Sequence, residues 1–259
     1  MPFAADAKLK PAPVRLGLTA ADCDFYHTVD IPGHGLVKGQ WDLRGREADY
    51  LGAVPLQGRS VLEIGPASGY LSFWMEQQGA DVTALDLSED HKWDFVPFKA
   101  IDIPAANVAR KTHLQRLHNS WWFLRQAMAA RAQVAYGTVY DLDAASGRFD
   151  VVTLNSVLLH LRDPMGALMN AASVCGETLV VTDVAEEHYS RFSWLQDKRA
   201  MRFLPRLDRP GGYDAWFMLP SGLVADMMQI MGFKTTITKH RQAFEKGVFR
   251  MYTVVGERV

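Results

Sequence analysis

Two cysteines, Cys23 and Cys175, are all that 259 residues contain. They are too few and too far apart for a zinc cluster or a disulfide framework. Charge of one sign is equally scarce: 28 Lys and Arg against 29 Asp and Glu leave a formal net charge of -1. A protein whose main partner is a nucleic-acid backbone needs a basic excess, so that partner is disfavoured. No apolar run approaches the roughly 20 residues of a membrane span. The stretch Met1-Pro2-Phe3-Ala4-Ala5-Asp6 has nothing of the continuous apolar character of a signal peptide. A cytoplasmic protein without a membrane partner is expected. Internal repeats, low-complexity segments and a Gly-x-Ser-x-Gly nucleophile elbow are absent too. His113 and His118 stand five apart on a predicted helix, which turns them to different faces, and no metal site is predicted.

What is present is an ordinary globular composition, 48% hydrophobic and 22% charged. At this length a core forms without metal or disulfide, burying roughly three-quarters of the unfolded surface. Short apolar runs alternate with helical patterns, the signature of a parallel α/β sheet. Strands are predicted at 60–64, 81–86, 133–138, 149–155, 177–182, 233–238 and 248–255. Helices are predicted at 70–78, 163–174 and 221–231, the first stopped by Gly79 and the last by Gly232. Residues 1–56, 88–132 and 184–218 break the alternation. Such insertions usually sit over the carboxyl ends of the strands, where ligands bind. They are expected to form a cap: an N-terminal segment 1–56, then one domain 57–259 carrying the two insertions.

The first strand runs into Val61-Leu62-Glu63-Ile64-Gly65-Pro66-Ala67-Ser68-Gly69. Glycine lets backbone approach a ligand without a Cβ in the way. A dinucleotide loop wants G-x-G-x-x-G, whereas here Ala67 replaces a middle glycine and Glu63 precedes the first. A carboxylate beside a pyrophosphate is unfavourable, but it suits a ligand with an ammonium group and a sulfonium. Asp86 ends the next strand, where a carboxylate accepts from ribose hydroxyls.

On these residues the chain, from about Leu56 onward, resembles the class I S-adenosylmethionine-dependent methyltransferases. That resemblance implies a Rossmann-like seven-stranded α/β sheet whose last strand is antiparallel. It also implies S-adenosyl-L-methionine as cofactor. Glu63, Gly65, Pro66, Ser68 and Gly69 would surround its methionine moiety, and Asp86 with Leu87 its ribose. Thr138, Val139 and Tyr140 would flank the adenine, and Asn155 with Ser156 would close the site near the sulfonium. Many members carry Asp at the position of Thr138. The stretches Lys38-Gly39-Gln40-Trp41-Asp42, Ser156-Val157-Leu158-Leu159-His160-Leu161-Arg162-Asp163-Pro164 and Trp216-Phe217-Met218-Leu219-Pro220-Ser221 are similar to the tRNA uridine-34 carboxymethyltransferase-like group. Its tRNA enzyme holds a carboxylated cofactor with a Lys. Here His27 stands at that place, and a neutral His is a weaker carboxylate partner, so ordinary methyl transfer is expected.

Methyl transfer needs alignment and exclusion of water, with a general base when the acceptor is a hydroxyl or a protonated amine. His160 and His27 are the candidate bases, Tyr26 a candidate for orienting substrate, and Trp41 and Trp216 candidate substrate-binding walls. The stretch 103–140 has no acidic residue but contains Arg110, Lys111, Arg116, Arg125 and Arg131. Leu114, Leu117, Trp121, Leu124 and Met128 recur at helical spacing as a core face, which puts the basic residues on a solvated one. The sharper alternative is a site for an anionic acceptor, joined by Lys198, Arg199, Arg202, Arg206 and Arg209. Three functions stay open: a methyltransferase for oxygen or nitrogen of a small molecule, a tRNA-modifying enzyme, and a non-catalytic cofactor sensor. A homodimer is compatible with each.

Overall fold

Val61, Leu62, Glu63 and Ile64 are buried on both faces, as a parallel strand between two helical layers requires. The computed structural model describes residues 9–189, 199–208 and 212–259. The N-terminal segment contributes β1 (Val29–Ile31), β2 (Gly35–Val37), β3 (Trp41–Asp42) and α1 (Glu47–Tyr50). The alternating part follows with β4 (Ser60–Ile64), α2 (Tyr70–Gln77), β5 (Asp81–Asp86), α3 (Ile103–Ala127) and β6 (Gln133–Tyr136). Next come β7 (Phe149–Asn155), α4 (Pro164–Val174), β8 (Cys175–Val184) and α5 (Glu186–Tyr189). After the short strands β9 (Arg202–Phe203) and β10 (Phe217–Met218), α6 (Ser221–Ile230), β11 (Phe233–Phe244) and β12 (Gly247–Arg258) end the chain.

The main sheet has the order β3-β11-β12-β8-β7-β4-β5-β6. Strands β4 to β8 are mutually parallel, and β12 runs antiparallel to both β8 and β11. This is the expected seven-stranded α/β sheet with its last strand reversed. One strand was not expected: β3 pairs with the end of β11 through Ala243–Asp42 and Phe244–Trp41. Several strand boundaries differ. β6 stops at Tyr136 because Thr138 accepts from the Tyr140 N–H and starts a 3-10 turn over Val139–Asp141. β11 runs on from the predicted Thr238 to Phe244, and β12 ends at Arg258 rather than Val255. The added part of β11 begins Lys239-His240-Arg241 and buries only Gln242, so it lacks the apolar alternation that marks a strand.

Helix α3 divides into two parts. Asp102 caps it by accepting from the Ala105 N–H, with Pro104 in the first turn. The C-terminal half buries Trp121, Trp122, Phe123 and Leu124, so nearly every face is covered. A helix apolar all round must be packed on all sides, and residues 9–24 supply the outer cover. There Ser120 accepts from the Asp24 N–H at 2.8 Å, and Gln126 donates to the Arg15 carbonyl at 2.6 Å. The first half of α3 instead leans over the carboxyl ends of the strands. Within segment 88–132, that half and residues around Trp93 line the cavity, while the C-terminal half of α3 is a covering layer.

Candidate active site

The carboxyl ends of β4 to β7 open into a cavity of about 390 Å³. On one side it is walled by Glu63, Gly65, Asp86, Leu87, Thr138, Val139, Tyr140, Asn155 and Ser156. Glu63 is buried, and the Ser72 hydroxyl donates to it. Burial, aided by the neighbouring charge of Asp86, pushes its carboxyl up to about 7. Burial also raises Asp86, whose Oδ1 accepts from the Leu87 N–H at 2.8 Å. Ser156 holds a left-handed backbone (φ 55°) and shares a 3.1 Å hydroxyl–hydroxyl bond with Tyr50. A non-glycine residue in that conformation is costly and recurs at functional sites. The Asn155 Oδ1 is buried with no hydrogen-bond partner among the described residues.

Three expected cofactor contacts fall outside the cavity wall: Pro66, Ser68 and Gly69. Ser68 is fully buried and accepts from the His27 N–H at 3.3 Å, tying the loop to the N-terminal segment. Gly69 has φ 88° at the start of α2, and a Cβ there would lie 2.5 Å from Trp121 Cδ1. Its glycine answers to packing. Pro66 accepts from the Gly69 N–H at 2.8 Å, closing the turn. These three shape the loop from behind.

The other side is built from the N-terminal segment, the first half of α3 and the chain around Trp93, His160 and Asp214. His160 Nδ1 lies 2.5 Å from the Asp214 carbonyl oxygen. A carbonyl only accepts, so Nδ1 carries the proton and Nε2 carries the lone pair. Burial lowers the pKa of His160. His27 also lines the cavity, but its Nδ1 is buried without a partner among the described residues, and burial depresses its pKa to about 3. It is therefore a neutral ring and a feeble proton acceptor. The Tyr26 hydroxyl accepts from Trp41 Nε1 at 3.0 Å, and burial raises its pKa, so it keeps its own proton to donate. Trp41 lines the cavity and packs on Phe244 and Phe249 with ring centroids 4.9 and 5.0 Å away.

Trp216 does not reach the cavity. Its indole N–H donates to the Asp94 carbonyl at 2.6 Å and its backbone N–H to the Leu159 carbonyl at 2.7 Å. It fastens the segment carrying Asp214 onto the rest of the cap. Of the basic stretch, Arg110 alone lines the cavity. Lys111 pairs with Asp90, Arg116 donates to the Cys23 carbonyl, Arg125 to the Ala132 carbonyl, and Arg131 is 91% exposed. In the later run Arg199 pairs with Asp226 and Arg206 with Asp208, and Arg202 is exposed. Lys198 and Arg209 lie outside the described residues.

A strand-end cavity with two buried carboxylates occurs in more than one α/β family, and sequence comparison decides between them. A family model described as a methyltransferase domain matches residues 42–231. The chain belongs to this methyltransferase family. Over 125 residues the methyltransferase is 30% identical to a ubiquinone biosynthesis O-methyltransferase of Bordetella avium, a match covering 47% of this chain and 40% of that protein. It is 27% identical over 197 residues to the protein of the same name from Alkalilimnicola ehrlichii, covering 70% of this chain and 68% of the other. The match thus spans less than half of the first relative. Among solved structures, a Burkholderia thailandensis 1,6-didemethyltoxoflavin-N1-methyltransferase superposes with TM-score 0.55 at 16% identity, covering 83% of this chain and 77% of that one. The magnesium protoporphyrin IX methyltransferase of Synechocystis gives 0.54 at 14% identity, covering 82% and 80%. At such identities the likeness is one of fold.

The matching part of the chain is a methyltransferase domain, the Burkholderia thailandensis neighbour holds S-adenosylhomocysteine, and the cavity here has a donor set that suits a ligand of that kind. Glu63 is buried and the Asp86 side chain is 12% exposed, neither with a Lys or Arg partner among the described residues, and Asn155 lines the same space. Acceptors so grouped call for a ligand rich in N–H, O–H and positive charge. A residue that no spacing rule announced stands beside Asp86. His118 is buried behind Asp86, its Nε2 3.8 Å from the carboxylate, its Nδ1 donating to Glu89 at 3.2 Å and its ring stacked on Tyr136. Only the crossing of α3 over β5 brings these residues together.

Proposed function

We propose that this enzyme transfers a methyl group to an oxygen or nitrogen of a small-molecule acceptor, with His160 as the proton-accepting base. The observation that carries this reading is the fixed tautomer of His160, a cavity-lining residue: Nδ1–H is given to the Asp214 carbonyl, which leaves the ring's lone pair on Nε2. When bound, S-adenosylmethionine would supply an electrophilic methyl carbon to the acceptor's lone pair, its sulfur keeping the carbon–sulfur pair. Glu63 would hold the cationic methionine end, Asp86 the ribose hydroxyls, and the Thr138–Tyr140 turn the adenine. Asn155 and Ser156 would sit near the reacting centre. His160 takes the acceptor's proton, the Tyr26 hydroxyl orients the acceptor, and Trp41 forms a flat wall. The N-terminal segment, with the first half of α3, acts as the cap that excludes water. The curated relatives, named as O-methyltransferases of ubiquinone biosynthesis, are consistent with an oxygen acceptor.

Transfer to tRNA is less well supported, because His27 is buried and neutral where a cation would be needed for a carboxylated cofactor. A sensor has no use for a base with an enforced tautomer. The test is methyl transfer from labelled S-adenosylmethionine to hydroxylated aromatics and to bulk tRNA. Label should enter the small molecules and not the RNA. His160→Gln should lower kcat about 100-fold or more while cofactor affinity, read by calorimetry, stays within a factor of two. Its kcat/KM profile should lack an acid limb that wild type shows below the usual histidine range, since the base must be deprotonated to act. Label in tRNA alone, or full activity in His160→Gln, would sink the assignment.

A further inference from the structure

Arg110 is the one Arg or Lys among the described residues that line the cavity, and its guanidinium is almost idle. The side chain is 21% exposed, and its carbon lies 4.0 Å from the Trp93 ring centroid and 5.7 Å from that of Phe95. Its nearest carboxylate, Asp214 Oδ2, stands at 4.0 Å, beyond hydrogen-bond reach. Among the described residues no hydrogen bond from its five N–H donors is present. A largely buried guanidinium with unspent donors is expensive unless a ligand takes them.

Its neighbours place it at the acceptor end. Asp214, whose carbonyl fixes His160, is the residue its guanidinium approaches, and the Trp93 ring also meets His160 edge-on at 5.9 Å. The cation and the proposed base are therefore mounted on the same two residues. We infer that the acceptor carries a carboxylate, bound by Arg110, on a planar aromatic frame whose hydroxyl or amine faces His160; this rests on the methyltransferase reading above. The frame is aromatic because Tyr26, Trp41 and Trp93 wall that end. The anion is singly charged because the one guanidinium already has Asp214 at 4.0 Å, and Asp94, which also lines the cavity, is paired with Arg162. His113, one turn along α3, is turned to Asp24 at 3.0 Å and adds no firm positive charge. A phosphate dianion would meet more repulsion than one guanidinium offsets, whereas a carboxylate matches its fork.

The test uses matched pairs: 3,4-dihydroxybenzoate with 3,4-dihydroxybenzamide, and salicylate with salicylamide. Wild type should methylate an acid at least about 10-fold better than its amide in kcat/KM, the difference lying in KM. Arg110→Gln should bring the acid down to the level of the amide, a loss at least about 10-fold larger than any change in the amide. S-Adenosylmethionine affinity should stay within a factor of two. Arg110→Lys keeps the charge and the stem over Trp93, so it should fall between, and it guards against a folding defect in Arg110→Gln. Equal use of acid and amide, an equal loss for both in Arg110→Gln, or bound cofactor with no acid methylated would each overturn the inference. Failure of wild type to bind S-adenosylmethionine would instead overturn the underlying reading.

Discussion

Asp183 ends β8 with a buried carboxyl that plays no part in the cavity wall. Burial, partly offset by the N–H groups of Val184 and Leu159, pushes it from 3.8 up to about 7. Between those values the folded chain keeps a proton that the unfolded chain has released. Stability therefore falls as pH rises from about 4 to 7, and the full penalty applies above 7. Asp183→Asn removes the ionisation and keeps the shape. The variant should match wild type near pH 4 and exceed it above pH 7 by on the order of 2–4 kcal/mol in chemical unfolding. An offset that does not change with pH would show that the carboxyl is not the cause. Glu63 follows the same rule with a ligand attached. Its carboxyl, also held up to about 7, ionises when a cation binds beside it, so S-adenosylmethionine binding should release a proton near pH 6.5. Calorimetry in buffers of different ionisation enthalpy reads that proton directly. Glu63→Gln should abolish the release and weaken binding at least about 10-fold.

At the scale of elements, the glycine loop and α2 depend on α3 for their shape. Gly69 starts α2 with a positive φ, and the Trp121 indole fills the space where a Cβ would project. Gly69→Ala should cost about 1–3 kcal/mol from the left-handed backbone and overpacking together. The lost stability should appear in denaturant midpoints with an unchanged m-value. The order of strands and helices, and Glu63, Asp86 and Asn155 at strand ends, were legible because each is written in a contiguous run. Other features depend on contacts between distant segments, which no local period encodes. Ser68 and Gly69 have a loop's sequence, yet Ser68 meets His27 and Gly69 meets Trp121 rather than the cavity. Trp216 and Trp41 look alike in sequence, but a partner carbonyl on Asp94 makes the first a fastener. Arg110 reads as a solvated helix face because its covering, Trp93 and Phe95, lies in the irregular stretch before α3.

Across the whole molecule, the N-terminal segment spans the sheet from one edge to the other. Ala12 donates to the Val134 carbonyl at 2.7 Å on β6, at one end of the strand order. β3 pairs with β11 at the opposite end. Between these anchors, Tyr26 and His27 cross the cavity. The segment thus blunts both exposed edges, which would otherwise invite pairing with other chains, and it encloses the site with the same residues. Its crossing point is tight: a Cβ on Gly39 would lie 2.4 Å from the His27 carbonyl carbon and 2.7 Å from the Phe25 oxygen. These are backbone atoms, so the obstruction cannot be relieved by turning a side chain. Gly39→Ala should push residues 25–28 off the cavity while leaving Glu63, Asp86 and the strands that hold them in place. Acceptor kcat/KM should then fall at least about 10-fold, as expected when alignment and exclusion of water are lost. S-Adenosylmethionine affinity should change less than about threefold, and amide exchange at residues 25–28 should quicken, since that stretch loses its packed neighbour. If cofactor affinity and acceptor turnover collapse together, the segment is part of the cofactor site itself rather than a cover for the acceptor.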